Sequence, residues 1–438
     1  MDHPILQSSL IILSLIAAIL VLIGRFKWPP FAVLLLCAYA IGLISGLPAT
    51  EITPRISQDM GSVFGEVALL ILFGVLLGHI LEKSGGAVLL AEKLTLTIGE
   101  RYPALAMGMA GYIISIPVYC DSGFILLNSI RQSIAQRVSC SPISLSVALG
   151  GGLFATHALV PPTPGPAAAA LILGISPSLI IPWAMVIALL STLAAIVWGK
   201  WVTRWLDEQA IPVKNQSTVP SANQTNVWYS IIPILLPLIL MSTANFQTAG
   251  EQPAWALFLS QPANALFLGL LASLPLIMKC ENGLAQMLSE SIRSCAMIIL
   301  IITAGGALAG MLAQTGHIAK IAESLPGSLG LLLPFMIAAT FKVAQGSTTV
   351  ALISAASMIE PLLPGLGLDS QNGRLLAILS AGTGSMMVTH ANDSYFWVVT
   401  QFSGISPAAG FKSFTIATLI QALTGLGAVL LLARLLVI

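Results

Sequence analysis

Long apolar runs, each bounded by a few polar or charged residues, recur from one end of the chain to the other. The clearest cover 8–24, 29–47, 65–82, 180–199, 228–243, 262–278, 294–313 and 412–437. About 17 to 25 such residues cross a bilayer as a helix. Two further stretches, 102–174 and 328–401, are also apolar but are broken by Pro, Gly and polar residues. The pattern predicts an all-α polytopic membrane protein with about 10 to 13 crossings. Residues 1–24 carry no basic segment ahead of the apolar run and no small-residue cleavage site, and they lead into Arg25 and Lys27. The first run is therefore read as a retained span rather than a signal peptide.

The breaks in the two interrupted stretches are the places to look for chemistry. Non-helical backbone at membrane depth is tolerated only where protein or a watery cavity satisfies its polar groups. Four segments qualify: PVYCDSGF (117–124), THALVPPTPGP (156–166), KVAQGSTTVA (342–351) and THANDSYFW (389–397).

These segments fall two to each half of a duplicated chain. GVLLGHILEKSG (74–85) matches GGALAGMLAQTG (305–316), TH (156–157) matches TH (389–390) and GISP (174–177) matches GISP (404–407), at separations of 231, 233 and 230 residues. Three matches in order at nearly constant spacing indicate an internal repeat. Basic residues orient the spans: Arg25 and Lys27, Lys200 and Arg204, and Lys279 and Arg293 mark cytoplasmic loops, whereas 244–261 carries Glu251 and no Lys or Arg. On that basis the N-terminus is periplasmic, and 65–82 runs inward while 294–313 runs outward. The repeats are thus expected to be inverted, as in secondary transporters. The expected organisation is N-terminal spans (1–60, scaffold and dimerisation), a first repeat (61–206), a polar cytoplasmic linker (207–227), connecting spans (228–291) and a second repeat (292–438).

Composition narrows the function. Hydrophobic residues make up 56%, charged residues 8%, mean hydropathy is +0.94 and net charge is +1, whereas soluble domains are about 25% charged. The balance gives no reason to invoke nucleic acid. Five cysteines at irregular spacing make neither a disulfide framework nor a thiolate metal site. No His-x-x-x-His or His-Glu-x-x-His pattern accompanies His157 or His390, so no metal is expected, and nothing implies a cofactor.

The few polar residues inside the breaks are the candidate site. A carboxylate such as Asp121 costs about 2.5–3.5 kcal/mol at membrane depth, so it faces a cavity, a partner or an ion, or else caps a helix at the interface. As a titratable group it is a candidate proton carrier; Ser122 beside it donates a hydrogen bond to substrate or to a local cap. Lys342 either snorkels to the headgroups or supplies positive charge near an anion. If Gly346 breaks a helix, a new one starts at Ser347, and its free amides, with Thr348, add positive field at that point. His157 and His390 occupy matching positions, read as structural hydrogen bonding, substrate binding or proton relay. Asn392 and Asp393 make the second half polar where the first has Ala158 and Leu159.

Taken in order, GHILEKSGG, PVYCDSGF, THALVPPTPGP, VAQGSTTVA and THANDSYFW resemble the gluconate:proton symporter (gluconate permease) family over essentially the whole chain. The resemblance implies a bacterial inner-membrane carrier of gluconate or a related small hydroxy acid, driven by protons. It also implies a dimer with a scaffold domain and a moving transport domain. Substrate would sit between hairpin tips near Asp121 and Ser347, contacting Ser122, His157, Thr163, Lys342, Gly346, Ser347, Thr348, His390 and Asn392, with Asp121 and Asp393 coupling protons. Departures leave the exact substrate open: Thr163 stands where relatives hold histidine in PPHPGP, Lys342 where arginine is common, and Ser394 and Tyr395 replace the usual Pro-Gly. The rival readings are a sodium-coupled carrier, an anion channel, and an intramembrane enzyme built on His390 and Asp393.

Overall fold

The computed structural model describes residues 10–436 apart from 12, 13, 16, 99–100, 139, 207–225, 244–253, 279–283 and 315–329. The polar linker, most of the loop at 244–261, the N-terminal residues, Lys279 and the end of the 305–316 repeat match fall outside the described residues. Within them the regular structure is helical: α1 (Pro30–Ile44), α2 (Ala49–Lys83), α3 (Gly86–Ile98), α4 (Pro103–Ile114), α5 (Cys120–Arg137), α6 (Pro142–Leu159), α7 (Pro164–Ile172) and α8 (Pro177–Val202). Then come α9 (Trp228–Thr243), α10 (Ala254–Ser260), α11 (Pro262–Ala272), α12 (Leu284–Gln314), α13 (Leu332–Gln345), α14 (Thr348–Ile359), α15 (Gln371–Gly384), α16 (Ser394–Ser403) and α17 (Ile416–Leu435).

Proline sets many of the starts. Pro30, Pro103, Pro142, Pro164, Pro177 and Pro262 each hold the first position of a helix, where the missing N–H is no loss and the fixed φ is already helical. The four prolines of THALVPPTPGP would be expected to keep helix out of the whole of 161–166. Instead the break is confined to Val160–Thr163, and helix resumes at Pro164 rather than at Ala167.

Among the described residues, five helical stretches are long and apolar enough to cross a membrane: Ala49–Lys83, Pro142–Ile172, Pro177–Val202, Ala285–Gln314 and Pro407–Leu435. Taken together, α10 and α11 make a sixth, bent by 75°. The expected span 262–278 is therefore only part of a bent unit, and the expected span 65–82 is the second half of a 35-residue helix that begins at Ala49. Five shorter apolar helices accompany them, among them Pro103–Ile114 and Leu332–Gln345. This is an all-α, multi-spanning membrane fold.

In lipid, apolar helices gain little by hiding from solvent, so close backbone approach decides their packing. Helices α4 and α6 cross at glycines: a Cβ on Gly152 would lie 2.1 Å from the carbonyl oxygen of Gly108, and one on Gly111 2.7 Å from that of Leu149. Helix α2 presents Gly78 to the first break, where a Cβ would meet the Pro117 oxygen at 2.2 Å, and Gly74 to the Pro162 oxygen at 3.4 Å. The stretch 142–172 is enclosed by protein along its most apolar window. The first two breaks thus lie against one glycine-bearing face of α2.

Candidate functional site

Each break is built by local chemistry. In the first, Pro117 lacks a donor and the chain turns between Ser115 and Tyr119, with the Ser115 hydroxyl donating to the Val118 oxygen at 3.1 Å. Helix α5 then starts at Cys120, which places Asp121 and the half-buried Ser122 in its first turn. In the second, the Pro161–Pro162 peptide is cis, and the Thr163 hydroxyl donates to the Val160 oxygen at 2.6 Å. His157 lies in the last turn of α6, buried, with its ring 5.7 Å from that of Tyr119. Tyr119, His157, Pro162 and Thr163 line one small recess with Gly74 and Pro117.

The third break is a single left-handed residue. Gly346 has φ +77° and ends α13, and Ser347 caps α14 by accepting from the Val350 amide at 3.4 Å. Only glycine enters this conformation without cost, and a Cβ here would also lie 2.3 Å from the Asn392 oxygen. The fourth break runs from Ser385 to Asp393 and contains Val388 at φ +51°. Asp393 caps α16, its carboxylate accepting from the Tyr395 amide at 2.9 Å.

The breaks converge. Lys342 is 1% exposed, which rules out snorkelling to the headgroups. Its ammonium donates to the Gly346 oxygen at 3.3 Å, to the Thr348 hydroxyl at 3.0 Å and to the Asp393 carboxylate. All three N–H donors are therefore engaged. Its charge also lies 5.2 Å from the ring centre of Phe154, which stacks on Tyr395 at 5.6 Å. Asn392 Nδ2 reaches the Val343 oxygen at 2.7 Å, and His390 Nε2 lies 3.1 Å from the same atom. The Val343 carbonyl, near the end of α13, is thus met from the fourth break. Helix α7 touches α14 where a Cβ on Gly165 would lie 3.3 Å from Thr349 Cα.

Asp121 lies in the Coulombic field of both Asp393 and Lys342, and His157 in that of Lys342. One ammonium and two carboxylates therefore share the centre. Around them the Tyr119 hydroxyl, Asp121 Oδ1, His157 Nδ1, Asn392 Oδ1 and both polar atoms of the Gln345 amide are buried without a hydrogen-bond partner in the protein. Buried polar groups are normally paired, so donors and acceptors left open together describe a surface for a polar ligand. Among the described residues no group of three or more His, Cys, Asp or Glu side chains has metal-binding geometry.

The structure brings the sequence candidates from both halves to one place. It gives different surroundings to the histidines of the two TH pairs: His157 faces Tyr119 in the interior, and His390 is anchored on Val343. Sequence reasoning alone passes over Tyr119, Phe154 and Tyr395. Tyr119 carries a signal, standing beside a break residue, whereas Phe154 and Tyr395 look like ordinary core.

A profile of the GntP family permeases matches residues 7–436. A gluconate permease of Pseudomonas aeruginosa is 32% identical over 445 residues, covering 95% of this chain and 96% of the relative. A high-affinity gluconate transporter of Escherichia coli is 28% identical over 433 residues, covering 94% and 96%. The fold is similar to two solved structures. One is the Neisseria gonorrhoeae efflux pump MtrF, with TM-score 0.65 and 14% identity over 94% of this chain and 96% of that one. The other is the YdaH transporter of Alcanivorax borkumensis, with TM-score 0.65 and 16% identity over 100% and 98%. The chain belongs to the GntP permease family.

Proposed function

We propose that this protein is a secondary transporter that carries gluconate or a related small hydroxylated monocarboxylate together with protons across the bacterial inner membrane by alternating access. One observation carries the reading: in a membrane protein of this family, four helix breaks meet around Lys342, Asp393 and Asp121, with unpartnered hydroxyl, amide and imidazole groups beside them. An anion channel needs a continuous lined path, and an enzyme needs a nucleophile or an acid–base pair set against a reacting atom. A polar, enclosed binding site between broken helices fits a carrier instead.

Substrate hydroxyls are assigned to Ser122, Tyr119, Gln345, Asn392 and the free lone pairs of Ser347, Thr348 and Thr163, with His157 and His390 at the edge. The substrate carboxylate is assigned to the open amides at the starts of α5 and α14, because Lys342 has no donor left for it. Lys342 acts through Asp393, neutralising it and holding the fourth break to the third.

Charge balance then links proton and anion. With Asp121 and Asp393 both ionised, the centre carries one net negative charge and repels a carboxylate; with Asp121 protonated it is neutral and accepts one. One proton per monoanion moves no net charge, and a second would add about 2.3 kcal/mol per 100 mV of potential.

The same element order in both halves supports the inverted repeats (61–206 and 292–438): long α2 and α12, the pairs α4–α5 and α13–α14 around a break, α6–α7 and α15–α16 around another, then α8 and α17. A periplasmic N-terminus, about 10 to 13 crossings and a homodimer with the N-terminal spans in its scaffold complete the proposal.

The test is uptake by proteoliposomes of labelled gluconate, glycerate, tetronates and amino acids under proton and sodium gradients imposed separately. The expected result is uphill accumulation of a hydroxy acid with the proton gradient alone. Accumulation with sodium alone overturns the coupling, and uptake of amino acids only overturns the substrate class.

A further inference from the structure

Arg131, on α5, is 2% exposed and has no carboxylate partner among the described residues. Its Nε donates to Asn128 Oδ1 at 2.9 Å, its Nη1 to the Pro142 oxygen at 3.4 Å and its Nη2 to the Phe402 oxygen at 3.3 Å. Three of the five N–H groups of a guanidinium are thereby used, two of them at the long end of the hydrogen-bond range. Asn128, itself fully buried, has no acceptor for its Nδ2, and the hydroxyl of Ser403, next to Phe402, is likewise buried without a partner. A buried cation with spare donors and an orphaned amide beside it is suited to a carboxylate.

Its position gives that chemistry a purpose. Asp121 and Arg131 lie ten residues apart on α5, and Asp393 and Phe402 nine apart at the two ends of α16, so this cluster lies about 15 Å from the central site along both helices. It lies toward the Pro142 end of α6. There Ile143 and Val147 pack with Trp198 and Leu206, beside Lys200 and Arg204, whose basic charge marks the cytoplasmic side.

We propose that Arg131 and Asn128 form a second carboxylate subsite, on the cytoplasmic side of the central cluster, through which the transported anion leaves. The inference rests on the transport reading above. In the enclosed arrangement the carbonyls of Pro142 and Phe402, on α6 and α16, stand in for an anion. A movement that opens a path past α16 withdraws the Phe402 carbonyl, and the substrate carboxylate takes its place with the two-pronged geometry that guanidinium favours.

Asn128→Asp tests this with little change of shape, because it offers the guanidinium a permanent carboxylate. For a self-blocked subsite, the purified variant keeps wild-type heat stability and gluconate affinity, while net gluconate uptake by proteoliposomes falls at least about tenfold. Wild-type uptake by this variant overturns the subsite and leaves Arg131 as a clamp between three helices. Should Asn128→Asp fail to fold, Arg131→Lys keeps the charge and loses the fork. The internal gluconate concentration for half-maximal efflux then rises about tenfold with the external value for influx unchanged. Equal shifts on both sides, or none, overturn the subsite. Wild-type protein that moves no carboxylate from either side overturns the transport reading and the subsite with it.

Discussion

Lys342 and Asp393, 51 positions apart, form an ion pair enclosed by protein, and it joins the third helix break to the fourth. Removing Asp393 takes from the buried Lys342 ammonium its direct carboxylate partner. Asp393→Asn keeps a capping oxygen for α16, so its damage is almost wholly electrostatic. Thermal unfolding in detergent is expected to show a loss of about 3–5 kcal/mol. The double variant Lys342→Met, Asp393→Asn regains most of it without regaining transport.

Gly346→Ala forces a side chain into the left-handed region and against the Asn392 carbonyl at 2.3 Å. The expected cost is about 1–3 kcal/mol, with transport abolished. Gly367 has φ +68°, and a Cβ added there would meet nothing within 4 Å. Gly367→Ala is expected to lose about 1 kcal/mol and to transport normally, which separates backbone strain in general from disruption of the tip.

Tyr119→Phe removes a hydroxyl that is buried without a protein partner. Without ligand, the variant is expected to be as stable as wild type or more so, by about 1 kcal/mol. Gluconate binding, measured by titration calorimetry, is expected to weaken about fivefold to tenfold, because a substrate hydroxyl loses its partner.

Asp121→Asn fixes the centre in the neutral form assigned to the protonated state. The variant is expected to exchange labelled for unlabelled gluconate across the membrane and to bind it with little dependence on pH. Its ability to accumulate gluconate against a gradient is expected to be lost. Accumulation equal to that of wild type, measured in the same vesicles, removes Asp121 from coupling.

Much of this is legible in the chain. Pro117, the prolines at 161 and 162, and Gly346 signal breaks through backbone chemistry that is local, so their places follow from residue type alone. The Thr163 and Ser347 turns are local in the same way. What is not legible depends on distant pairing: Lys342 spends all three donors within the protein, and Arg131 reaches Phe402, 271 positions away. Hydropathy likewise marks the apolar half of α2 but not its polar start, TEITPRISQDM, where a helix continues beyond the run that hydropathy detects. The bend between α10 and α11 falls at Pro262, where the apolar run 262–278 begins, so that run marks only the second arm of the bent unit.

Proton–substrate coupling is read out by the proton movement that substrate itself drives. Liposomes containing the protein and a trapped pH-sensitive dye are given external gluconate in sodium-free medium, with no gradient imposed. If gluconate enters with a proton, the lumen acidifies as it enters, and Asp121→Asn vesicles in the same assay do not acidify. Labelled gluconate entering wild-type vesicles while the lumen pH stays constant would contradict symport.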